Sequence, residues 1–446
     1  MLPRPEIIAA IATPHGRGGI GVVRVSGHNL DTFAKVILGK TIIPRCATCT
    51  SFLDAEGQVL DQGLALFFPA PHSYTGEDVL ELQGHGGPAV LQLVLQRCLE
   101  LGSRIAQPGE FTLRAFLNDK LDLAQAESVA DLIDATTSQA ARSAVRSLQG
   151  EFSQAIRQMV DKLIRLRMLV EAMLDFPEEG IDVPDIALRD VQLEILRKEL
   201  ERIFGLAQQG SLLREGAHVV LVGQPNVGKS SLLNRLSGEE VALVSTVPGT
   251  TRDVIRQAIQ VGGVPLHIMD TAGLRESQDE VERLGIARTH STLQKADVIL
   301  LLLDASQGIS AADRRILDEL PPNIPKLLVF NKIDLLDQTP RLEEKDGECH
   351  IYLSAKTGLG LELLRDKLLA VIGWHQEAGA FMARERHIRA LRAAQDHLQH
   401  AAGDGGRAEI FAEELRLAQK FLNSITGEFT ADDLLGEIFS RFCIGK

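Results

Sequence analysis

One stretch constrains this chain more than any other: Gly223-Gln224-Pro225-Asn226-Val227-Gly228-Lys229-Ser230. His218-Val219-Val220-Leu221-Val222 precedes it and reads as a buried strand, while Ser231-Leu232-Leu233-Asn234-Arg235-Leu236 follows with helical spacing. Strand, glycine loop and helix together are the setting a phosphate-binding loop requires. The glycines let backbone N–H groups converge on phosphate oxygens, and the helix N-terminus adds its positive end. Lys229 is placed for the β- and γ-phosphates and Ser230 for Mg²⁺, so a nucleotide here predicts contacts from Asn226, Val227, Gly228, Lys229, Ser230 and Ser231. A chance glycine turn ahead of a helix is the plain alternative, and the motifs downstream count against it.

A chain of 446 residues allows two to four domains, and 45% hydrophobic residues are enough for sizeable cores. The net charge of −13 argues against a general polyanion-binding surface, so a nucleic acid must meet a local basic patch or a partner protein. No apolar run approaches the ~20 residues of a membrane span. Met1 to Ala12, with its prolines and Glu6, is unlike a secretory signal. Five scattered cysteines fit a reducing, cytoplasmic setting, and Cys46 and Cys49 form a lone C-x-x-C without a second ligand pair.

In chain order, residues 1–118 mix short β-rich runs (Ile7–Ile11, Gly21–Val25, Leu64–Phe68) with glycine and proline, and predict an α+β domain. Glu77–Leu82 alternates like a half-buried strand, ends in a predicted sharp turn at Gly84-His85-Gly86-Gly87, and leads into the helical run Ala89–Leu101. Gly16-Arg17-Gly18-Gly19 reads as a tight turn rather than an anion loop, since no strand and helix frame it. Residues 119–215 turn helical, with one apolar stripe at Ile156, Met159, Val160, Leu163, Leu166, Val170, Met173 and Leu174. A second stripe runs through Leu193, Leu196, Leu200, Ile203 and Ala207. Residues 216–373 form the nucleotide domain and 374–446 return to helical spacing. The economical architecture is a Ras-like P-loop α/β domain inserted into one helical domain made from both flanks, with two separate helical domains as the alternative.

Past the phosphate loop, Gly249-Thr250-Thr251-Arg252-Asp253 offers a threonine, Thr251, that can ligate Mg²⁺ while the γ-phosphate is present. Leu266–Met269 leads to Asp270-Thr271-Ala272-Gly273, where Asp270 holds Mg²⁺ through water and the Gly273 N–H senses the γ-phosphate. Asn331-Lys332-Ile333-Asp334 follows a further strand; the Asp334 carboxylate accepts from N1–H and the 2-amine of guanine, a donor pair adenine lacks. Ser354-Ala355-Lys356 backs the base with a main-chain N–H. Four motifs in order, each at a strand end, predict a GTPase. Leu274 stands where small signalling GTPases place the glutamine that orients water. An acid from Arg275–Arg283 must serve instead, with Asp279, Glu280 and Glu282 as candidates. Asn226, with the stretch Ser245, Thr246, Val247, Pro248, Gly249 and Thr250, is placed to hold a monovalent cation against the phosphates, which supplies the charge of an arginine finger.

With these residues in view, the chain resembles the MnmE (TrmE) family of tRNA-modification GTPases over essentially its whole length. The resemblance rests on Gly223–Ser230, Gly249–Asp253, Asp270–Arg275, Pro108–Phe111, Phe116–Leu123, and the ending Gly427-Glu428-Phe429-Thr430 to Phe442-Cys443-Ile444-Gly445-Lys446. It implies a folate-binding, dimerising N-terminal α+β domain, a helical domain and an inserted G domain, with GTP hydrolysed when the two G domains of a homodimer meet around K⁺. By position it puts K⁺ at Asn226, Ser245, Val247 and Thr250, Mg²⁺ at Ser230 and Thr251, and the water-positioning acid at Glu282. Catalysis thus falls to Glu282, Asp270 and Lys229. A 5,10-methylene- or 5-formyl-tetrahydrofolate falls on Arg24, Glu81, Lys120 and Lys446. The implied partner is the flavoprotein MnmG, in a heterotetramer that modifies C5 of the wobble uridine of certain tRNAs. Cys443 is either a packed tail thiol or a reactive one near the folate; Gly445 and Lys446 exclude a prenylation box. A non-catalytic GTP switch on assembling ribosomes explains the G motifs equally well, but leaves residues 1–118 and the tail unexplained.

Overall fold

The computed structural model describes residues 6–175, 183–239, 256–270, 293, 295–345, 347–375, 379–403, 407–428, 432–440, 442, 443 and 445. Two compact units emerge: Met1–Ala130 with Ser147–Arg197 and Ala393–Lys446, and Asp131–Arg146 with Lys198–Arg392.

The first unit opens with β1 (Ile8–Ile11), β2 (Gly18–Gly27), α1 (Leu30–Leu38), β3 (Thr48–Leu53), β4 (Val59–Phe68), β5 (Asp78–Gly86), α2 (Pro88–Glu100) and β6 (Arg104–Ile105). Its sheet runs β3-β4-β5-β2-β1-β6, antiparallel except for the β1–β6 pair. Alternation along the strands turns Val23, Val25, Leu80 and Leu82 to one face, where Leu30, Phe33 and Ile37 of α1 and Leu91, Val94 and Leu95 of α2 cover them. Each such side chain contributes about 1.5–3 kcal/mol on leaving water. Of the turn expected at Gly84–Gly87, the first three residues are instead the end of β5, paired with the bulged start of β2. The reason is closeness: a Cβ at Gly86 would lie 2.6 Å from the Gly18 carbonyl oxygen. These glycines serve a tight strand pairing, and the chain turns only at Gly87, with Pro88 in the first turn of α2.

Helices follow: α3 (Glu110–Leu117), α4 (Leu123–Asp134), α5 (Ser138–Leu148), α6 (Glu151–Asp175) and α7 (Val183–Glu215). The stripes expected on α6 and α7 are buried wherever their side chains are described, from Ile156 to Val170 and from Leu193 to Ala207. Met173 and Leu174 lie outside the described side chains.

The second unit is built on β7 (Ala217–Gly223), α8 (Lys229–Glu239), β8 (Arg256–Val261), β9 (Val264–Asp270), β10 (Val298–Asp304), α9 (Ala311–Glu319), β11 (Lys326–Asn331), β12 (Arg341–Lys345), β13 (Glu348–Tyr352) and α10 (Leu361–Val371). Its sheet order is β12-β13-β11-β10-β7-β9-β8, with only the edge strands β8 and β12 antiparallel. Continuous apolar runs such as Val298-Ile299-Leu300-Leu301-Leu302-Leu303 suit parallel strands buried on both faces. β7 lies between strands that come later in the chain on either side, so its C-terminal end opens at the crevice where such folds bind ligands. The same core takes in Ala140 and Ala144 of α5, Leu213 of α7, and Trp374, Ala380 and Met382. The remaining helices are α11 (Glu385–Gly403), α12 (Ala408–Thr426), which packs on α6, and α13 (Asp432–Ser440). No described helix is long and apolar enough to cross a membrane.

Candidate functional site

The loop between β7 and α8 has the backbone its sequence requires. Asn226 is left-handed at φ 62°, and Gly228 at φ 100° leaves no room for a side chain, since a Cβ would lie 2.3 Å from Asn331 Nδ2. Lys229 Nζ donates to the Gly223 and Gln224 carbonyl oxygens at 2.8 and 2.9 Å, which holds the ammonium across the loop. Ser230 and Ser231 stand exposed on the first turn of α8, Asn226 is exposed, and Val227 is buried.

Asn331, at the end of β11, ties this loop to the predicted base-binding segment. Its Nδ2 donates to the Val227 carbonyl oxygen and its Oδ1 accepts from the Ala355 N–H, both at 2.8 Å. Asp334 Oδ1 accepts from Ser354 Oγ at 2.6 Å, and Ser354 is fully buried. Asn331, Asp334, Ser354 and Ala355 therefore form one cluster, as the motif reading expects. Lys356 is exposed beside them. Lys332, left-handed at φ 71°, donates Nζ to Asp304 Oδ2 at 2.8 Å. Burial raises the Asp304 pKa, but hydrogen bonds from Lys332 and Ser306 outweigh it and hold the carboxyl below its ordinary value.

Two supporting groups were missed at the level of sequence. Gln224 Nε2 donates to Ser310 Oγ and Asp313 Oδ1, each at 2.8 Å, and so pins the loop to the N-terminus of α9. Ser310 and Asp313 form a capping box there, a legible signal in Ser-x-x-Asp whose second use only the fold reveals. Asp304 is the other, a strand-end carboxylate that steadies Lys332.

Asp270 ends β9 directly beside Leu221 of β7, although its side chain lies outside the described residues. So do Ser245, Thr246, Val247, Pro248, Gly249, Thr250, Thr251, Thr271, Ala272, Gly273 and Glu282 in the second unit, and Ile444 and Lys446 in the tail.

The first unit holds a separate cluster. Arg24 and Glu81 are cross-strand partners on β2 and β5, with Arg24 Nε and Nη2 at 3.0 and 2.9 Å from Glu81 Oε1. The Arg24 guanidinium lies 5.6 Å from the Tyr74 ring centre and 5.8 Å from that of Phe111. Its Nη1 also reaches the Gly445 carbonyl oxygen at 3.4 Å. Gly445 is buried at φ 98°, where a Cβ would meet the Ile11 carbonyl oxygen at 2.5 Å, and Phe442 anchors the tail among Leu123, Ala126, Ile438 and Phe439. Lys120 is apart from these contacts; its Nζ donates to the Pro71 carbonyl oxygen at 3.1 Å, at the start of the loop that carries Tyr74. Cys443 is exposed.

Two family models match the chain. One described as the GTP-binding protein TrmE N-terminus matches residues 7–120, and the MnmE helical domain model matches residues 123–443, a span that contains the nucleotide fold. Proteins named tRNA modification GTPase MnmE are similar from end to end. That of Nitrosomonas europaea is 62% identical over 99% of both chains, and that of Nitrosospira multiformis 61% identical over 100% of both. The one from Dechloromonas aromatica is 59% identical over 99% of this chain and 100% of its own. A P-loop fold set within a helical-domain match, a TrmE-type N-terminal sheet, and full-length relatives at this identity lead to one conclusion: the chain belongs to the MnmE (TrmE) family of tRNA modification GTPases.

Proposed function

We propose that this chain binds and hydrolyses GTP, Mg²⁺- and K⁺-dependently, as a homodimer, and that with the flavoprotein MnmG it modifies C5 of the wobble uridine in tRNA using a folate one-carbon unit. The observation that carries the GTP part is the Asn331 bridge, which joins the phosphate loop and the Ala355 N–H through one buried side chain. A guanine between Asp334 and Ala355 would meet an acceptor carboxylate and a main-chain donor, while its phosphates reach the loop amides and Lys229. The donor set fits the ions as well. Ser230 is exposed at the helix start for Mg²⁺ and the Asn226 side-chain oxygen suits K⁺; by the family resemblance Thr251 and Asp270 would join the Mg²⁺ site, and Ser245, Val247 and Thr250 the K⁺ site. When bound, K⁺ supplies fixed positive charge against the phosphates as negative charge builds on the leaving group. Glu282 orients the attacking water, a task Leu274 cannot perform.

For folate, the Arg24–Glu81 pair offers donor and acceptor side by side, with the Tyr74 and Phe111 rings near the guanidinium. By the family resemblance Lys120, which lies apart from this pair, and Lys446 would also meet the folate, with Cys443 a candidate for the modification chemistry. The acidic chain, at −13, agrees with tRNA being gripped through a partner.

GTP turnover at equal ionic strength tests the hydrolytic part. Rates should be higher in K⁺ than in Na⁺ and should rise with protein concentration, and Glu282→Ala should cut turnover with little loss of GTP binding. Equal rates in both salts, or normal turnover in the variant, would remove this mechanism. Nucleoside analysis of tRNA from cells lacking the protein tests the modification.

A further inference from the structure

Within the first unit, α11 and α12 bring together three groups of metal-ligand type. His397 and His400 lie one turn apart on α11, and Glu414 comes from α12. Glu414 Oε2 is 2.6 Å from His397 Nδ1 and 3.9 Å from His400 Nδ1, and the three ligand atoms all lie within 4.8 Å of one another. We propose that His397, His400 and Glu414 form a site for one divalent transition-metal ion, of the Zn²⁺ type, that clips α11 to α12.

Geometry, support and chemistry each point the same way. Ligand atoms around tetrahedral Zn²⁺, at bond lengths of about 2.0–2.2 Å, lie about 3.3–3.5 Å apart. The two separations bracket that range, so an ion entering needs the His397–Glu414 contact to open and the His400–Glu414 contact to close, each by up to about 1 Å. His400 is the most exposed of the three, at 67%, and sits at the end of α11, free to make that adjustment. His397 is already steadied by stacking on Phe421 of α12, with ring centres 5.5 Å apart. The next carboxylate, Glu413, is engaged by Arg416 at 2.7 Å and leaves Glu414 to the histidines. Two neutral imidazoles and one carboxylate form a three-ligand set that leaves a fourth position to water. Imidazole nitrogen favours Zn²⁺, Ni²⁺, Co²⁺ or Cu²⁺ over Mg²⁺ and K⁺, so this site would not compete for the ions proposed at the nucleotide. On binding, His397 would present Nδ1 to the ion as its Nε2–H tautomer, and the His397–Glu414 hydrogen bond would give way to the ion.

The test is Zn²⁺ binding to the full-length, EDTA-treated chain in excess Mg²⁺, read by competition with a chromophoric chelator. Cys46, Cys49 and Cys443 are exposed thiols with their own affinity for soft ions, so C46S/C49S/C443S is the background. We expect one tightly held Zn²⁺ per chain and a melting temperature that rises with Zn²⁺ concentration. His400→Ala, chosen because its side chain is exposed and the fold does not need it, should weaken binding by at least about tenfold, since even the loss of an outer-shell partner costs that much. Substituting Co²⁺ should give tetrahedral visible bands without thiolate charge transfer. Absence of binding, affinity unchanged in His400→Ala, or thiolate bands would each overturn the site and leave His397–Glu414 an ordinary charge-assisted hydrogen bond.

Discussion

Asn331 illustrates how a residue's role changes once its neighbours are known. Its motif predicts contact with a nucleotide, and its bonds show a strut between two loops. Asn331→Ala should strand the Val227 carbonyl and the Ala355 N–H at a buried position, at about 1–3 kcal/mol for each unpaired group. GTP and GDP binding should fall together, with a lower melting temperature in the same variant. Asp334→Asn should act differently, and competition binding should show guanine nucleotides weakened and xanthine nucleotides, whose 2-oxo group accepts, favoured. Glu110 gives a pH signature. Burial raises its pKa, but hydrogen bonds from Arg104, the Gln107 N–H and Arg114 outweigh that and hold it below the ordinary value. A lowered folded pKa contributes stability that is present above the unfolded value of about 4.3 and is lost as pH falls through the folded one. Urea melts should therefore show Glu110→Gln less stable than the parent at pH ~7 and the gap shrinking below pH ~4.

Among the elements, the C-terminal tail carries the clearest division of labour. Its described contacts lie within the first unit: Phe442 against α13 and α4, the Cys443 carbonyl accepting from the Gly109 N–H at 3.4 Å, and Gly445 against β1. Removing Cys443–Lys446 should leave GTP hydrolysis largely intact and abolish wobble-uridine modification; loss of hydrolysis with modification spared would refute the tail's place at the folate site. Cys443→Ser tests the thiol itself, and full modification activity would deny it a chemical role. A second joint lies at the roots of the nucleotide fold. Asp131 of α4, nearly fully buried, accepts from Arg214 Nε at 2.9 Å and Arg384 Nη2 at 2.8 Å, residues on the segments entering and leaving that fold. Burial, and then the Asp131 charge, raise the pKa of nearby Asp134. Asp131→Ala should destabilise the chain by roughly 2–4 kcal/mol, somewhat under the usual loss for breaking a fully buried pair because Arg214 is partly solvated.

At the scale of the whole chain, sequence spacing expects an inserted domain whose removal leaves a soluble, folded dimer. The core argues for a more exacting outcome. Ala140, Ala144, Leu213, Trp374, Ala380 and Met382 lie outside 216–373 yet belong to one core with its strands, and a Cβ at Gly263 would collide with the Gln139 side chain. Replacing residues 216–373 by a short Gly/Ser linker strips those side chains of their partners. The product should keep its helical circular dichroism, melt lower than the parent and bind a hydrophobic dye; a product unfolded altogether would argue against the insertion.

Local pattern was enough wherever a motif's chemistry depends on its own backbone. The glycine loop between β7 and α8, the parallel strands around it and the α6 and α7 stripes could all be read along the chain, because glycine conformation, strand burial and helical period are properties of neighbouring residues. Pairings across long separations could not. Gly84–Gly86 looked like a turn because glycine permits both a bend and a close strand contact, and only the position of Gly18 decides between them. Gln224 with Ser310 and Asp313, Arg24 with Glu81 and Gly445, and His397 with Glu414 are likewise products of packing: each side chain has many possible partners in sequence, and the fold leaves it one set within hydrogen-bond reach.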